Sequence, residues 1–279
     1  MAAGLAAGLH PEAVFVLGDL AEVEADLAES GHPLADAPVY AVDRRVAARL
    51  TTLETPAPLM AVFPLPVSPP LGEPAGSGAV VYADRLADPG NLGTLVRAAA
   101  AFAAAALVAS PGSVDLFSPK VVRASMGAVF ELPLYHDLPL AEAVAALGAS
   151  RVYGLVAHGG RPLADVVDEH AAAAEAPVLV VGAERAGLSD EALAAVTDLV
   201  TIPLPGVGVS AAAEVTVESL NAGVAGAVAL YEFARRAATS GAPVSTGTGA
   251  EAGGDDTGAT QVAPPSLPSG RRRPVQGKE

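Results

Sequence analysis

Short runs of consecutive apolar residues, rather than alternating ones, set the pattern of this chain. Three lie before residue 64: "AVFVLG" (13–18), "PVYAVD" (38–43) and "PLMAVF" (58–63). Five follow residue 78: 79–83, "AALVAS" (105–110), "RVYGLVA" (151–157), "PVLVVG" (177–182) and "LVTIPL" (199–204). Near-continuous Val and Leu runs predict strands buried on both faces, hence a parallel sheet between helical layers. In the first region "DLAEVEADLAES" and "DRRVAARLTTL" show helical spacing and open on Asp, so Asp19 and Asp43 are candidate N-caps. The last periodic segment, "ESLNAGVAGAVALYEFARR" (218–236), predicts a long helix.

Between the two groups of strands lies "PLPVSPPLGEPAGSG" (64–78), rich in Pro, Gly and Ser, which reads as a linker. The chain therefore divides into a small α/β domain over 1–63, the linker over 64–78, and a larger α/β domain with a parallel sheet over 79–236. The small domain reads as truncated at its start: "AAGLAAGL" resembles the end of a helix with no strand before it. Residues 237–279 lack periodicity and large apolar side chains, and are expected to form a disordered tail.

With 279 residues and a hydrophobic fraction of 51%, the chain can bury a sizeable core. It has no Cys, which excludes disulfide and thiolate chemistry and points to a reducing cytoplasm. No apolar run approaches the roughly 18 residues of a membrane helix. The net charge of −15 argues against a general nucleic-acid binder. An anion site must therefore be local. Residues 1–76 hold 3 basic and 10 acidic side chains, and residues 77–236 hold 9 and 17.

Local concentrations exist. "DPGNLGTLVRAAAAF" (88–102) puts Asn91 and Arg97 into an otherwise apolar helix after a tight turn. Asn91 reads either as a helix cap or as a site residue. Arg97 reads as an anion ligand, an exposed side chain, or the partner of an acid such as Glu184. "FSPKVVRASMG" places Lys120 and Arg123 three residues apart on one helical face, with Ser118 and Pro119 at the helix start. "VVGAERAGLSDEAL" (180–193) follows a strand, and Gly182 and Gly187 permit close backbone approach to a ligand. Arg97, Lys120, Arg123 and Arg185 all fall inside these segments, which points to phosphate contacts. His10, His32, His136, His158 and His170 show no metal-ligand spacing, and no metal is expected. Neither a phosphate-binding P-loop nor a nucleophile elbow is present.

In their order along the chain, with "IPLPG" (202–206) and "ESLN" (218–221), these segments resemble the SpoU (TrmH-like) branch of the SPOUT superfamily, RNA 2′-O-ribose methyltransferases. The resemblance covers about residues 79–236, and the first domain resembles that family's small RNA-binding domain. It implies a deep C-terminal trefoil knot, one of the rare exceptions to unknotted chains. It also implies a homodimer packed through the last helix, with Leu230, Tyr231 and Phe233 supplying apolar area. The implied cofactor is S-adenosylmethionine, held by Gly182, Ile202, Leu204, Ser219, Leu220 and Asn221. Ser219 and Asn221 could instead start the last helix. Asn91, Arg97 and Glu184 take the catalytic roles by resemblance, Lys120, Arg123 and Arg185 bind RNA, and the substrate is a ribose 2′-hydroxyl of rRNA or tRNA. Two departures stand out. The family has Gly where this chain has Ala103, which costs on the order of 1 kcal/mol if that position needs φ > 0. Residues 207–217 exceed the family's usual spacing and predict either a lid beside the cofactor or a disrupted pocket. The latter alternative makes the chain a non-catalytic RNA-binding dimer.

Overall fold

The computed structural model describes residues 2–18, 37–74, 78–171, 173, 175–204 and 219–239. The 207–217 segment, Asp19 and residues 240–279 lie outside the described residues.

The first region holds a short helix α1 (Ala2–Ala6), strands β1 (Ala13–Leu17) and β2 (Val39–Val42), helix α2 (Arg44–Leu50) and strand β3 (Leu59–Val62). β1 is central, parallel to β2 and antiparallel to β3. Val14 and Val16 are fully buried on one face. Asp43 caps α2 as its sequence position predicts, its Oδ1 accepting from the Val46 amide at 2.8 Å. The linker docks: Ser68 Oγ donates to the Leu134 carbonyl (2.9 Å) and accepts from the Leu134 amide (3.0 Å). It thereby satisfies backbone groups at the free edge of the large sheet, an edge otherwise open to pairing.

The large sheet has the order β6-β5-β4-β9-β7-β10-β8 and every pairing in it is parallel. Its strands are β4 (Val80–Asp84), β5 (Ala106–Ala109), β6 (Leu134–Tyr135), β7 (Val152–Leu155), β8 (Arg161–Pro162), β9 (Val178–Gly182) and β10 (Asp198–Thr201). Helices α3 (Pro89–Ala101), α4 (Pro119–Ala124), α5 (Leu140–Leu147), α6 (Leu163–His170), α7 (Asp190–Ala195) and α8 (Ala222–Thr239) cover it. Burial on both faces follows from β4: Val81 and Ala83 enter one apolar cluster with Leu95, Leu107, Leu179 and Leu230, while Val80 and Tyr82 enter another with Val108, Leu140 and Val180. β6 and β8 have two residues each and leave no pattern in the sequence. α8 starts later than the sequence suggests and runs to Thr239, three residues past Arg236. No described helix is long and apolar enough to cross a membrane.

On α3 the buried positions Leu92, Leu95, Val96 and Ala99 recur at helical spacing. The helix ends on Ala103 at φ +52°, with Ala104 N bonded to Ala99 O (2.8 Å) and Ala103 N to Ala100 O (3.1 Å). That is a Schellman ending, whose left-handed residue is ordinarily Gly. Ala103 therefore occupies the positive-φ position that the missing glycine implied.

Candidate active site

Parallel strands bring their carboxyl ends to one edge of the sheet, the usual place for ligand sites in such folds. There a cleft of about 200 Å³ opens beyond β7, β9 and β10. Leu155, Val156 and Ala157 line it from β7; Val181, Gly182, Ala183 and Glu184 from β9; Val200, Ile202 and Leu204 from β10; Ser219, Leu220, Ala222 and Ala225 from the start of α8. Five of the expected cofactor residues, Gly182, Ile202, Leu204, Ser219 and Leu220, thus meet in one cavity. Among the described residues Glu184 is the one charged group in its lining, so the cleft favours a cation over an anion.

Asn221 does not line the cleft. Its Oδ1 accepts from the Val224 amide at 3.2 Å, capping α8, and its Nδ2 donates to Asn91 Oδ1 at 2.6 Å. One side chain thus starts one helix and ties it to the first turn of another. Asn91 is not the cap of α3; Asp88 is, its Oδ1 accepting from the Asn91 amide at 2.8 Å. The Asn91 side chain is thereby left for its contact with Asn221. A Cβ at Gly223 would lie 3.0 Å from Asn91 O and 3.1 Å from Thr94 Cβ. The glycine is what allows α8 to approach α3 this closely.

The loop after β9 is a tight return. Ala183 and Gly187 form an antiparallel bridge, and Gly187 has φ +69°. A Cβ at Gly182 would collide with the Gly187 carbonyl. Gly182 therefore makes room first for its own loop and only through it for a ligand. The loop is anchored from below by Asp84, 2% exposed, which accepts from Ser189 N (2.7 Å) and Ser189 Oγ (3.1 Å). Ser189 in turn caps α7 through the Ala192 amide (3.1 Å). The strand end, the loop bearing Glu184 and Arg185, and the following helix are thus one hydrogen-bonded unit. Tyr82 beside it is pushed up to about 12 by burial and by Asp84, so its phenol stays protonated near neutrality.

Arg97 lies exposed on α3, six residues and about 9 Å along the helix axis from Asn91. It makes no ion pair or hydrogen bond among the described residues, so the alternative pairing with Glu184 does not form. Lys120 and Arg123 stand exposed on α4, likewise without partners, as does Arg185. α4 reaches α3 across Gly93, where a Cβ would strike Ala124 Cβ. Ser118 sits at the N-cap of α4 but makes no capping bond, and its Oγ is buried without a partner.

The sequence reading missed Leu155, Val156 and Ala157 as lining residues and Asp84 as an anchor. The first three had a signal: they end an apolar run that "HGG" terminates. Asp84, at the end of another apolar run, had none beyond being a charged residue beside a predicted strand.

The family model described as the SpoU rRNA Methylase family matches residues 78–231. The chain is 33% identical over 197 residues to the 23S rRNA (guanosine(2553)-2'-O)-methyltransferase RlmP of Bacillus subtilis (strain 168), covering 70% of this chain and 71% of that protein. It is 44% identical over 59 residues to the mitochondrial rRNA methyltransferase 3 of Mus musculus, of which it spans 14%. The crystal structure of AdoMet-bound rRNA methyltransferase from Sinorhizobium meliloti superposes with a TM-score of 0.65 at 26% identity, covering 84% of this chain and 82% of that one. The fold, the cleft and the motifs define an α/β methyltransferase of the parallel-sheet type. The chain belongs to the SpoU rRNA methylase family.

Proposed function

We propose that the protein transfers a methyl group from S-adenosylmethionine to a ribose 2′-hydroxyl of ribosomal RNA, and that it does so in the cytoplasm as a homodimer with a knotted C-terminal region. The observation that carries the reading is the Asn91–Asn221 hydrogen bond. It fixes the helix bearing the unpaired Arg97 to the segment that walls the cleft.

The cleft fits the cofactor. Aliphatic side chains from Leu155, Val181, Ile202 and Leu204 offer apolar faces for a flat ring, non-strand backbone at Ala157 offers polar groups for its edge, and Glu184 supplies a negative field. Gly182, Ile202, Leu204, Ser219 and Leu220 would hold S-adenosylmethionine, with Asn221 supporting them from behind. The bound cofactor supplies an electrophilic methyl group on a sulfonium leaving group. The chain's own residues then align and polarise the acceptor oxygen. A guanidinium keeps its proton at neutral pH, so Arg97 acts as a fixed cation. It binds a phosphate beside the target ribose and stabilises negative charge growing on the 2′-oxygen. Asn91 orients the ribose or Arg97, Glu184 lies at the rim, and Lys120, Arg123 and Arg185 hold flanking phosphates.

Dimerisation through α8 is supported by its outward face, where Val224 and Tyr231 are 43% and 48% exposed. Leu230 and Phe233, expected from the sequence to serve a partner, are buried in this chain's own core and cannot. The insertion of β9 between β4 and β7 supports the knotted threading. Two measurements test the reading. Calorimetric titration should give micromolar binding of S-adenosylmethionine. Mass-spectrometric mapping of rRNA from cells with and without the gene should show one lost 2′-O-methyl site. No binding at millimolar cofactor refutes the reading.

A further inference from the structure

We infer that Met126 is a wedge: it packs against a base of the substrate RNA and helps to lift the target nucleotide out of its stack. This deepens the functional reading above and rests on it. At 72%, Met126 is the most exposed large hydrophobic side chain among the described residues of the large domain. A lone exposed apolar residue ordinarily needs no explanation. This one also has a backbone that disfavours it. Its φ is +55°, in the left-handed region where a residue with a Cβ is strained. Gly127 follows at φ +97°, so two consecutive residues turn left-handed. Glycine at 126 would relieve the strain, and a polar side chain would relieve the exposure. Methionine does neither.

Such strain persists where the surroundings over-determine it, and it collects at ligand-binding places. The surroundings do so here. On one side α4 presses on α3 at Gly93, where a Cβ would strike Ala124 Cβ and lie 3.1 Å from Ser125 N. Ser125 is buried, and its Oγ donates to the Val122 carbonyl at 2.9 Å. On the other side Ala3 packs on Gly127, and Phe63 meets Phe130 at a ring separation of 6.1 Å. Met126 N donates to Arg123 O and Ala128 N to Ser125 O, each at 3.1 Å. Both neighbours of Met126 are therefore held, and its side chain is left to solvent. The chemistry beside it selects the ligand. Lys120 and Arg123, on the helix that runs into this turn, are exposed and without partners among the described residues. Arg97 follows Gly93 by four residues and so shares the face of α3 that meets α4. A flexible, polarizable apolar side chain beside unpaired cations suits a polynucleotide: phosphates meet the cations and a base face meets the thioether. Methionine is among the apolar side chains that proteins insert between base steps. Turning a stacked nucleotide toward a cleft costs unstacking energy, which a wedge partly offsets. A contact between two copies over this residue would instead bring like charges together across a two-fold axis.

The test uses the full chain and an unmodified 23S rRNA transcript. Met126→Gly removes the side chain at a φ that glycine adopts freely, so the thermal midpoint should rise by about 2–4 °C. Yet kcat/KM for methyl transfer should fall at least tenfold. S-adenosylmethionine affinity should not change. Nor should the salt slope, log Kd against log salt, because no phosphate contact is lost. Met126→Leu should keep most of the rate. In an rRNA fragment spanning the mapped methylation site, 2-aminopurine beside the target should brighten on binding the wild type and stay quenched with Met126→Gly. A mismatch that leaves the target nucleotide unpaired should restore the rate of Met126→Gly, which a merely structural role would not produce. Wild-type rates and unstacking in Met126→Gly would overturn the inference and leave the methyltransferase reading intact. A shift of Met126→Gly toward monomer in sedimentation would assign the side chain to an interface between copies and also overturn it. Absence of RNA binding and methylation by the wild type would remove both readings.

Discussion

Along α3 and α4, Arg97, Lys120 and Arg123 are exposed and make no ion pair among the described residues, whereas around α6 and α8 the arginines are tied down. There Arg236 bonds Asp168 at 2.8 Å, Arg235 bonds Glu232 and Arg161 bonds Glu169. The α6–α8 corner is also where aromatic packing is densest: Phe233 lies 5.6 Å from Tyr153 and 5.3 Å from His170 between ring centroids. Both regions are helical, both lie on the same sheet, and both use arginine. The difference is whether the charge is satisfied within the chain. At one corner it serves the fold, where exposed pairs contribute little, about 0 to 1 kcal/mol. At the other it is unpaired, and under the proposed function it meets RNA phosphate and the growing charge on the 2′-oxygen.

The comparison breaks most sharply at Arg97. Arg97→Ala should lower methyl transfer by about 10² to 10³, on the order of 3–4 kcal/mol in the barrier. Cofactor affinity should stay within a few-fold and the thermal midpoint should hold, since no partner is orphaned. Single-turnover transfer of a radiolabelled methyl group to rRNA, beside calorimetric cofactor titration, checks this. Retention of more than a tenth of wild-type turnover removes Arg97 from the mechanism.

A second effect is expected where α3 ends, and it shows how much the sequence carries. The five apolar runs after residue 78 gave the five longer strands, because burial on both faces leaves a continuous mark. β6 and β8 left none: two residues cannot show a period, and pairing partners alone define them. The site was legible in part. Gly182, Ile202, Leu204, Ser219 and Leu220 meet as expected, yet whether Asn91 or Asp88 caps α3 depends on a rotamer that no pattern records. Ala103 was legible from the absence of a glycine, and its φ of +52° bears the inference out. Ala103→Gly should therefore stabilise the protein by roughly 1 kcal/mol. That corresponds to a rise in midpoint of about 2–4 °C by calorimetry. Methyl transfer should be unchanged, since the substitution lies at the far end of α3 from Asn91. A fall in midpoint would mean that the strain is absent.

A smaller, pH-dependent effect is expected in the satisfied corner. Burial holds the His170 imidazole below its ordinary pKa, with the Glu175 backbone and charge pulling the other way and Arg151 adding to the depression. Its Nδ1 lies 3.1 Å from Tyr153 Oη. The folded chain holds this ring neutral to lower pH than the unfolded chain, which binds a proton at about pH 6.5. Stability is then full above that pH and is lost as pH falls through it toward the lowered folded value. Thermal midpoints measured from pH 7.5 down to 5.5 should fall more steeply for the wild type than for His170→Gln. Parallel curves would mean that the ring carries no such linkage.

The finest test lies within a single strand–helix unit. Arg85 follows β4 directly and Arg97 lies in the third turn of α3, the next helix; both are exposed, and the Arg85 and Glu191 side chains are 54% and 80% exposed. Arg85 Nη2 donates to Glu191 Oε2 at 2.7 Å, whereas the Arg97 side chain has no partner among the described residues. Arg85→Gln should leave methyl transfer and the RNA salt slope at wild-type values, because a paired cation presents little free charge to a phosphate. Its cost in stability should also be small, since solvent screens so exposed a pair. The backbone contribution of residue 85 survives the change: its amide still donates to Ser110 Oγ at 2.8 Å, and Gln at φ +54° is strained much as Arg is. The two arginines share residue type and exposure but differ in backbone setting, Arg85 in a loop at positive φ and Arg97 within α3, so the comparison asks whether a paired exposed cation contributes to RNA binding at all. If Arg85→Gln cut RNA affinity as Arg97→Ala cuts turnover, pairing would not distinguish structural from ligand-facing cations in this chain. The assignment of Lys120 and Arg123 would then have to rest on direct mapping of their contacts.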